Sequence, residues 1–340
     1  MLTRRRALAI SILAAAGAGA AVAVPFIRRK LSRPPLRATR FDFATVNQKG
    51  MRQPARRASA AVFTEDLGSG NSLDMVAIPA GSFTMGSPND EPARRPNEGP
   101  QHHVRLATFF IGAAPITQAQ WLAVIMAHPE KVRHDLNPSP SFFRGIDLPV
   151  ESITWYEAEE YCRRLAAITG RDYRLPSEAQ WEYACRAGTT SAFNVGPTIT
   201  TDLANYCGAG GAVCGDSDGK SIASDDYDGV KYGSGAYGLG PAGVFRGTTT
   251  RAGSFPPNRF GLYDMHGNVW EFCLDIATAT YDDAPDDGSA FSAGPPDGNR
   301  ILRGGSWSHN PAICRSAYRD AIPPDNPGWQ GRIGIRVVCD

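Results

Sequence analysis

His309 and Cys314 bring an imidazole and a thiol, two side chains that take copper or zinc, within five residues of each other behind a Gly304-Gly305 pair. The stretch around them, Arg303 to Cys339, is also rich in groups suited to recognition. Tyr318 and Trp329 are large, stiff anchors, Ile313 and Ile322 apolar support, and His309, Asp320 and Gln330 polar partners. The stretch is framed at both ends. A run from Arg300 to Arg303 enters a turn where glycine makes positive φ cheap, and Ile333, Ile335 and Val337 alternate as in a core strand. Two strands carrying a varied loop suit binding better than an interior, although an ordinary surface hairpin would read the same way. The adjacent His102 and His103 also invite a metal reading. Neighbours on a strand point to opposite faces, which argues against one shared ion.

The elements that must position these residues belong to a loop-heavy chain. Its 340 residues are 42% hydrophobic, enough for a real core, and include 36 Gly, 26 Pro and six Trp scattered through short segments. That composition predicts an irregular α+β fold rather than long helices. A net charge of +1 hides an asymmetry: Arg28 to Ala60 holds ten Lys/Arg against the single Asp42, whereas from Ala61 onward 22 Lys/Arg face 33 Asp/Glu. An acidic body argues against a nucleic-acid surface and tolerates bound cations.

Residues 1–27 read as an export signal. Thr3-Arg4-Arg5-Arg6 precedes an apolar run from Ala7 to Val24, with a small-residue cleavage site at Ala21-Val22-Ala23, and the whole looks like a twin-arginine signal. Ala7 to Ile27 is also long enough for an uncleaved membrane anchor flanked by Arg28-Arg29-Lys30. Residues 28–60, basic and proline-bearing, are expected to be a flexible linker, either merely solvated or held near anionic lipid headgroups. The domain proper is expected over 61–340.

Within it, Asp74 to Ser87 reads as a hairpin around Pro79-Ala80-Gly81, and His103 to Ile111 as a strand. Thr117 is a good N-cap for a helix through Trp121 to Met126. Trp155 to Ala167 carries apolar residues at helical spacing, and Ser177 caps a third helix that places Trp181 and Ala184 inward and ends at Gly188.

Five motifs then stand in order: IPAGSFTMGS at Ile78 to Ser87, LPVESITWYEAEEYCRRL at Leu148 to Leu165, RLPSEAQWEYACRAG at Arg174 to Gly188, GLYDMHGNVWEF at Gly261 to Phe272, and RGGSW with a closing GIR. Together they resemble the formylglycine-generating enzyme, or sulfatase-modifying factor, family over about Leu73 to Cys339. The resemblance implies a single domain of C-type-lectin-like topology, with little regular secondary structure, often holding calcium. It also implies a calcium site made by Asp264 and Glu271 with carbonyls of Gly267 and Val269. A second site would use Asn205, completed by an acid among Asp225, Asp226 and Asp228; hard oxygens of this kind suit Ca²⁺.

The enzymes of that family use a thiol pair five residues apart, just after GGS-aromatic, to hold copper(I) for oxygen-dependent oxidation of a substrate cysteine. Here Cys314 matches the second position and His309 stands at the first, so the paired-thiol arrangement is lost. The family pattern places Cys162 near Cys339. Cys207 with Cys214 would close a local loop, leaving Cys185, Cys273 and Cys314 free, with Cys185 buried.

The C-terminal pattern is also similar to the variable proteins of diversity-generating retroelements, a branch of the same fold. Ser308, His309, Ala312, Ile313, Tyr318, Asp320, Ala321, Ile322 and Pro323 occupy the positions that vary there, between intact GGSW, CRSA and PDN. The resulting expectation is an exported, calcium-stabilised protein that binds a protein or cell-surface ligand through Ser308 to Gln330. The competing expectation is a copper-dependent formylglycine-type oxidase centred on Cys314 and His309. A third is a catalytically inactive accessory domain.

Overall fold

The computed structural model describes residues 34–209, 235–328 and 330–340. The residues read as an export signal, together with Cys214, Asp225, Asp226, Asp228 and Trp329, lie outside them.

The first strands come from the stretch expected to be a tether. β1 (Arg37–Phe43) pairs antiparallel with β2 (Arg56–Gly68), Phe41 facing Ala58 and Thr39 facing Ala60. The charge count of this segment obscured a short period of two: Phe41, Phe43, Ala60 and Val62 share one face, with Phe43, Ala60 and Val62 buried. A side chain at Gly261 would meet the Phe41 ring at 3.0 Å, so the hairpin lies directly on the domain.

β3 (Asn71–Ile78) and β4 (Gly81–Met85) flank Pro79-Ala80, but they do not form the expected hairpin. β3 continues the sheet of β1 and β2, whereas β4 turns away to pair with β5 (His102–Leu106). The strand expected over His103 to Ile111 is correspondingly two, β5 and β6 (Phe109–Gly112). The His102 ring packs tilted against Tyr281, 4.9 Å between centroids.

Three capped helices follow: α1 (Gln118–Ala127), α2 (Trp155–Thr169) and α3 (Glu178–Arg186). Thr117, Thr154 and Ser177 each accept from the amide three residues on, and Gln120, Glu157 and Gln180 return the bond. α1 and α2 meet through Trp121 stacked on Tyr161 at 5.1 Å. α3 ends where Ala187 and Gly188 turn left-handed.

The C-terminal half builds a four-stranded sheet in the order β10-β7-β8-β9 from β7 (Trp270–Ile276), β8 (Arg300–Arg303), β9 (Arg319–Ile322) and β10 (Ile333–Gly334). β11 (Val338–Cys339) joins β6 at the edge of the first sheet, giving β1-β2-β3-β6-β11. The single terminal strand expected over Ile333 to Val337 is therefore split between two sheets, although Ile333, Ile335 and Val337 are all fully buried. The architecture is α+β and C-type-lectin-like, with short strands, three α-helices among the described residues and long connections.

Four arginines of the last 38 residues fasten this half to the rest. Arg303 meets Glu182 and Glu178, Arg315 meets Glu98 and Glu91, Arg319 meets Glu178, and Arg336 meets Glu271. All four guanidiniums are buried. Removing one partner of such a pair leaves a bare charge in the interior, which costs about 3–5 kcal/mol.

Candidate functional site

Gly304 and Gly305 adopt φ of 96° and 72°, the left-handed turn that leads β8 into the recognition stretch. Directly after it, Ser306 Oγ lies 2.7 Å from His309 Nδ1 and 3.2 Å from Ser308 Oγ. The His309 ring packs edge-on against Trp270, 5.3 Å between centroids. Burial, reinforced by the Arg332 charge, pushes the pKa of His309 down to about 3, so the ring is neutral.

Cys314 lies beneath the same turn. The sulfur is fully buried, and a Cβ placed on Gly305 would come within 2.5 Å of it. Burial pushes its pKa well up, so in the metal-free protein it is a neutral thiol. Its backbone carbonyl is occupied too, accepting from His266 Nδ1 at 2.8 Å, while His266 Nε2 accepts from the Asn194 amide. Ser306 thus holds the His309 ring through its hydroxyl, and the Cys314 thiol lies under the glycine turn that Ser306 follows. Ser306 and His266, which organise this turn, were missed in the sequence, where nothing marks a partner brought in from another motif.

The five free thiols among the described residues, Cys162, Cys185, Cys273, Cys314 and Cys339, are all buried. Cys162 and Cys339 remain unpaired, contrary to the pairing implied by the family pattern; both sit in one apolar cluster as small hydrophobic side chains. Cys185 is buried as expected, with Ser316 Oγ and the His266 ring 3.7–4.0 Å from its sulfur. Cys207 is disulfide-bonded, to a partner outside the described residues.

The expected calcium ligands separate into two groups. Glu271 does not fit, because Arg336 bonds both of its oxygens and Trp181 Nε1 donates to one of them at 2.7 Å. Asp264 and Asn205 do fit. Asp264 Oδ2 accepts the Gly253 amide, while Asp264 Oδ1 and Asn205 Oδ1 are buried oxygens with no hydrogen-bond partner. Burial raises the pKa of Asp264 to about 6. Gly267 (φ 77°) and Val269 form the turn beside them, Gly267 bridging to Asn205 so closely that a Cβ would fall 2.2 Å from the Asn205 carbonyl oxygen. Among the described residues no three His, Cys, Asp or Glu side chains gather as a metal site.

The positions expected to bind a ligand are mostly interior. Ser308, His309, Ala312, Ile313, Tyr318 and Ile322 are buried. Asp320 and Ala321 are half-buried, Pro323 and Gln330 exposed. No broad presented face exists over these described residues, since the buried arginine pairs draw the stretch inward. What remains open is a cleft of about 370 Å³ beside β9, lined by Arg95, Asn97, Thr278, Ile301, Asp320 and Ala321. Arg95 lies over the Tyr318 ring, its guanidinium carbon 4.6 Å from the centroid. Asp320 Oδ1 accepts the Ala321 amide at 2.8 Å; burial raises the pKa of this carboxyl, and the Arg95 charge opposes the rise. A second cavity, about 380 Å³ between Pro88, Pro92 and Leu239, has its one half-buried acid, Glu91, committed to Arg315.

The comparisons agree with this architecture. The profile described as "Sulfatase-modifying factor enzyme 1-like domain" matches residues 61–340. The formylglycine-generating enzyme of Bos taurus is 26% identical over 312 residues, covering 78% of this chain and 74% of the relative. The inactive Cα-formylglycine-generating enzyme 2 of Bos taurus is 26% identical over 287 residues, covering 71% and 79%. Relatives of both kinds, active and inactive, thus share the scaffold. Among solved structures, PvdO from Pseudomonas aeruginosa superposes with a TM-score of 0.63 at 31% identity, covering 82% of this chain and 98% of that one. Treponema denticola variable protein 1 superposes with a TM-score of 0.58 at 22% identity, covering the same shares, and shows the fold alone. With its five motifs in order and its glycine turn, helix caps and sheets in place, the chain belongs to the sulfatase-modifying factor enzyme 1-like family.

Proposed function

We propose that this chain is a ligand-binding member of its family rather than a formylglycine-generating oxidase, and that the cleft beside β9 is where it binds. The observation that carries the reading is the sealed Cys314: its thiol is buried under Gly305, and the residue expected to join it as a metal ligand is a neutral histidine held by Ser306. With a histidine at the first position, one thiol stands where copper(I) favours paired thiolates. A cleft of about 370 Å³ suits a small ligand better than the protein partner expected from the sequence.

Copper(I) titration of the purified protein, followed by oxygen uptake with a cysteine-containing sulfatase peptide, tests this. No stoichiometric copper binding and no turnover are expected. Tight binding with turnover, both abolished in Cys314→Ser, would overturn the reading and return the chain to the oxidases.

The proposal includes a calcium ion at Asp264, whose unpartnered buried oxygen is the kind of atom a hard cation takes; Asn205, expected in the second site, carries another such oxygen. We further place the protein outside the cytoplasmic membrane, on the strength of the arginines before the apolar run and of a disulfide at Cys207, a bond of oxidising compartments. Among the described residues no helix is long and apolar enough to cross a membrane. A reporter fused after residue 33 is expected in the exported fraction, and its retention inside the cell with Arg4 and Arg5 intact would refute the placement.

A further inference from the structure

β1 closes one side of the first sheet and leaves its own outer edge open. Among the described residues the backbone of Arg37 to Phe43 bonds to no backbone but that of β2. The opposite edge is guarded, because β11 is two residues long and Val338 already exchanges bonds with Arg174. β1 is seven residues in unbroken register with β2, without proline, glycine or bulge. An edge of that kind takes another strand unless its side chains forbid it.

The side chains of β1 forbid most strands but not a copy of itself. Arg40 and Asp42 stand two apart on the face turned away from the domain, opposite Ser59 and Arg57 of β2. Asp42 reaches Arg57 at 3.5 Å with both side chains mostly exposed, and Arg40 has no ion pair among the described residues. These four residues, with Phe41 and Ala58, line an open groove of about 560 Å³ at the middle of the strand.

Two copies of one strand that pair antiparallel about a two-fold axis obey a parity rule. Alternate residues turn their N–H and C=O toward the neighbour, so a residue can face only one of like parity, and the axis must pass through a residue. Through Arg40 the axis sets Arg40 against Arg40, and through Asp42 it sets Asp42 against Asp42, each a like-charge contact. Through Thr39 it sets Arg40 against Ala38 and gains no charge pair. Through Phe41 it sets Arg40 against Asp42 twice, with Phe41 facing Phe41 and Thr39 facing Phe43.

We propose that β1 is a contact between two copies of this chain, paired antiparallel and centred on Phe41, so that two five-stranded sheets become one. Main-chain bonds supply the attraction, and the reciprocal Arg40–Asp42 pairs set the register. Each Asp42 then lies between Arg57 of its own copy and Arg40 of the other.

Sedimentation equilibrium of the full chain at rising concentration is expected to show a monomer–dimer equilibrium. Arg40→Asp and Asp42→Arg each place like charges at both crossing points, so either alone should weaken the dimer at least tenfold. Mixed in equal amounts, the two variants restore opposite charges at both points, and a heterodimer of nearly the parent affinity should form. Circular dichroism melts establish that both variants are folded. A monomer at every concentration overturns the proposal. Association that neither substitution weakens also overturns it, and assigns self-association to another face or to the apolar run from Ala7 to Val24. Weakening in both variants without recovery in the mixture overturns it as well, because the register would then be wrong.

Discussion

Arg315 and Glu98 meet twice, Nη2 to Oε1 at 2.6 Å and Nη1 to Oε2 at 2.8 Å, with both side chains fully buried. This fork joins the recognition stretch to the loop after β4, more than two hundred residues away in sequence, and Arg315 Nη1 reaches Glu91 of the same loop as well. The pair stands where the sequence reading placed a binding loop.

Breaking this fork should be costly. Glu98→Gln keeps the shape but leaves the guanidinium short of its counter-charge, so a loss of about 3–5 kcal/mol is expected in urea unfolding, against less than about 1 kcal/mol for the exposed pair Arg57 and Asp42. Equal small effects at both sites would show that the buried pair is not holding the stretch.

Thiol accessibility should follow burial. In the native protein none of Cys162, Cys185, Cys273, Cys314 and Cys339 should react with a thiol reagent within minutes, and all five should react once the chain is denatured without reductant. Three instead of five would mean that Cys162 and Cys339 are bridged.

His309 should make the fold acid-sensitive. Its folded pKa, lowered to about 3, lies below the ordinary value of 6.5, so between those values the unfolded chain holds the proton and the folded chain does not. Stability from this group is full above about pH 6.5 and falls as the pH drops toward 3, by about 1.4 kcal/mol per pH unit at most. Asp275, raised to about 7 by burial beside Glu178, works in the opposite sense over part of the window. The measurable quantity is therefore a difference: His309→Gln should lose less stability than the parent chain between pH 6.5 and 4.5. Parallel stability curves would contradict a neutral buried ring.

The β1–β2 hairpin should be part of the folding unit. A chain beginning at Ala61 loses β1 and the first five residues of β2, with the buried Phe43, Val46 and Ala60. Burial of Phe43 and Val46 is worth about 1.5–3 kcal/mol each, so the melting temperature should fall by several degrees. An unchanged melting curve would restore the tether reading.

Calcium should stabilise the fold. At a concentration of one hundred times its dissociation constant the ion would add about 2.7 kcal/mol, lost on chelation and absent in Asp264→Asn, whereas the response should persist when Glu271 is changed. A chelator effect that survives Asp264→Asn would move the site elsewhere.

Much of the scaffold was legible in the sequence because its signals are local. Thr117 and Ser177 announced their helices through capping boxes, and Gly304-Gly305 announced a left-handed turn. What was illegible depends on partners far away in sequence. Arg315 looks like a surface residue until Glu98 is brought to it, and Glu271 looks like a metal ligand until Arg336 neutralises it. The β3–β4 pair failed for a related reason: alternation marks a strand but not its neighbour, and β4 found β5 instead of β3. Burial likewise turned six expected contact residues inward.

β11 supplies the last strand of a sheet whose other four were complete by Gly112, and Val338 exchanges backbone bonds with Arg174 on the way. The sheet therefore stays one strand short until Val338 and Cys339 have been synthesised, more than two hundred residues after β6. A chain cut before Arg303 presents an open edge on β6 and five glutamates, Glu91, Glu98, Glu178, Glu182 and Glu271, without the buried arginines that meet them in the native fold. Closing the first sheet thus waits on the residues that also seat the second, so that an exposed β6 edge marks a domain whose C-terminal half has not yet docked.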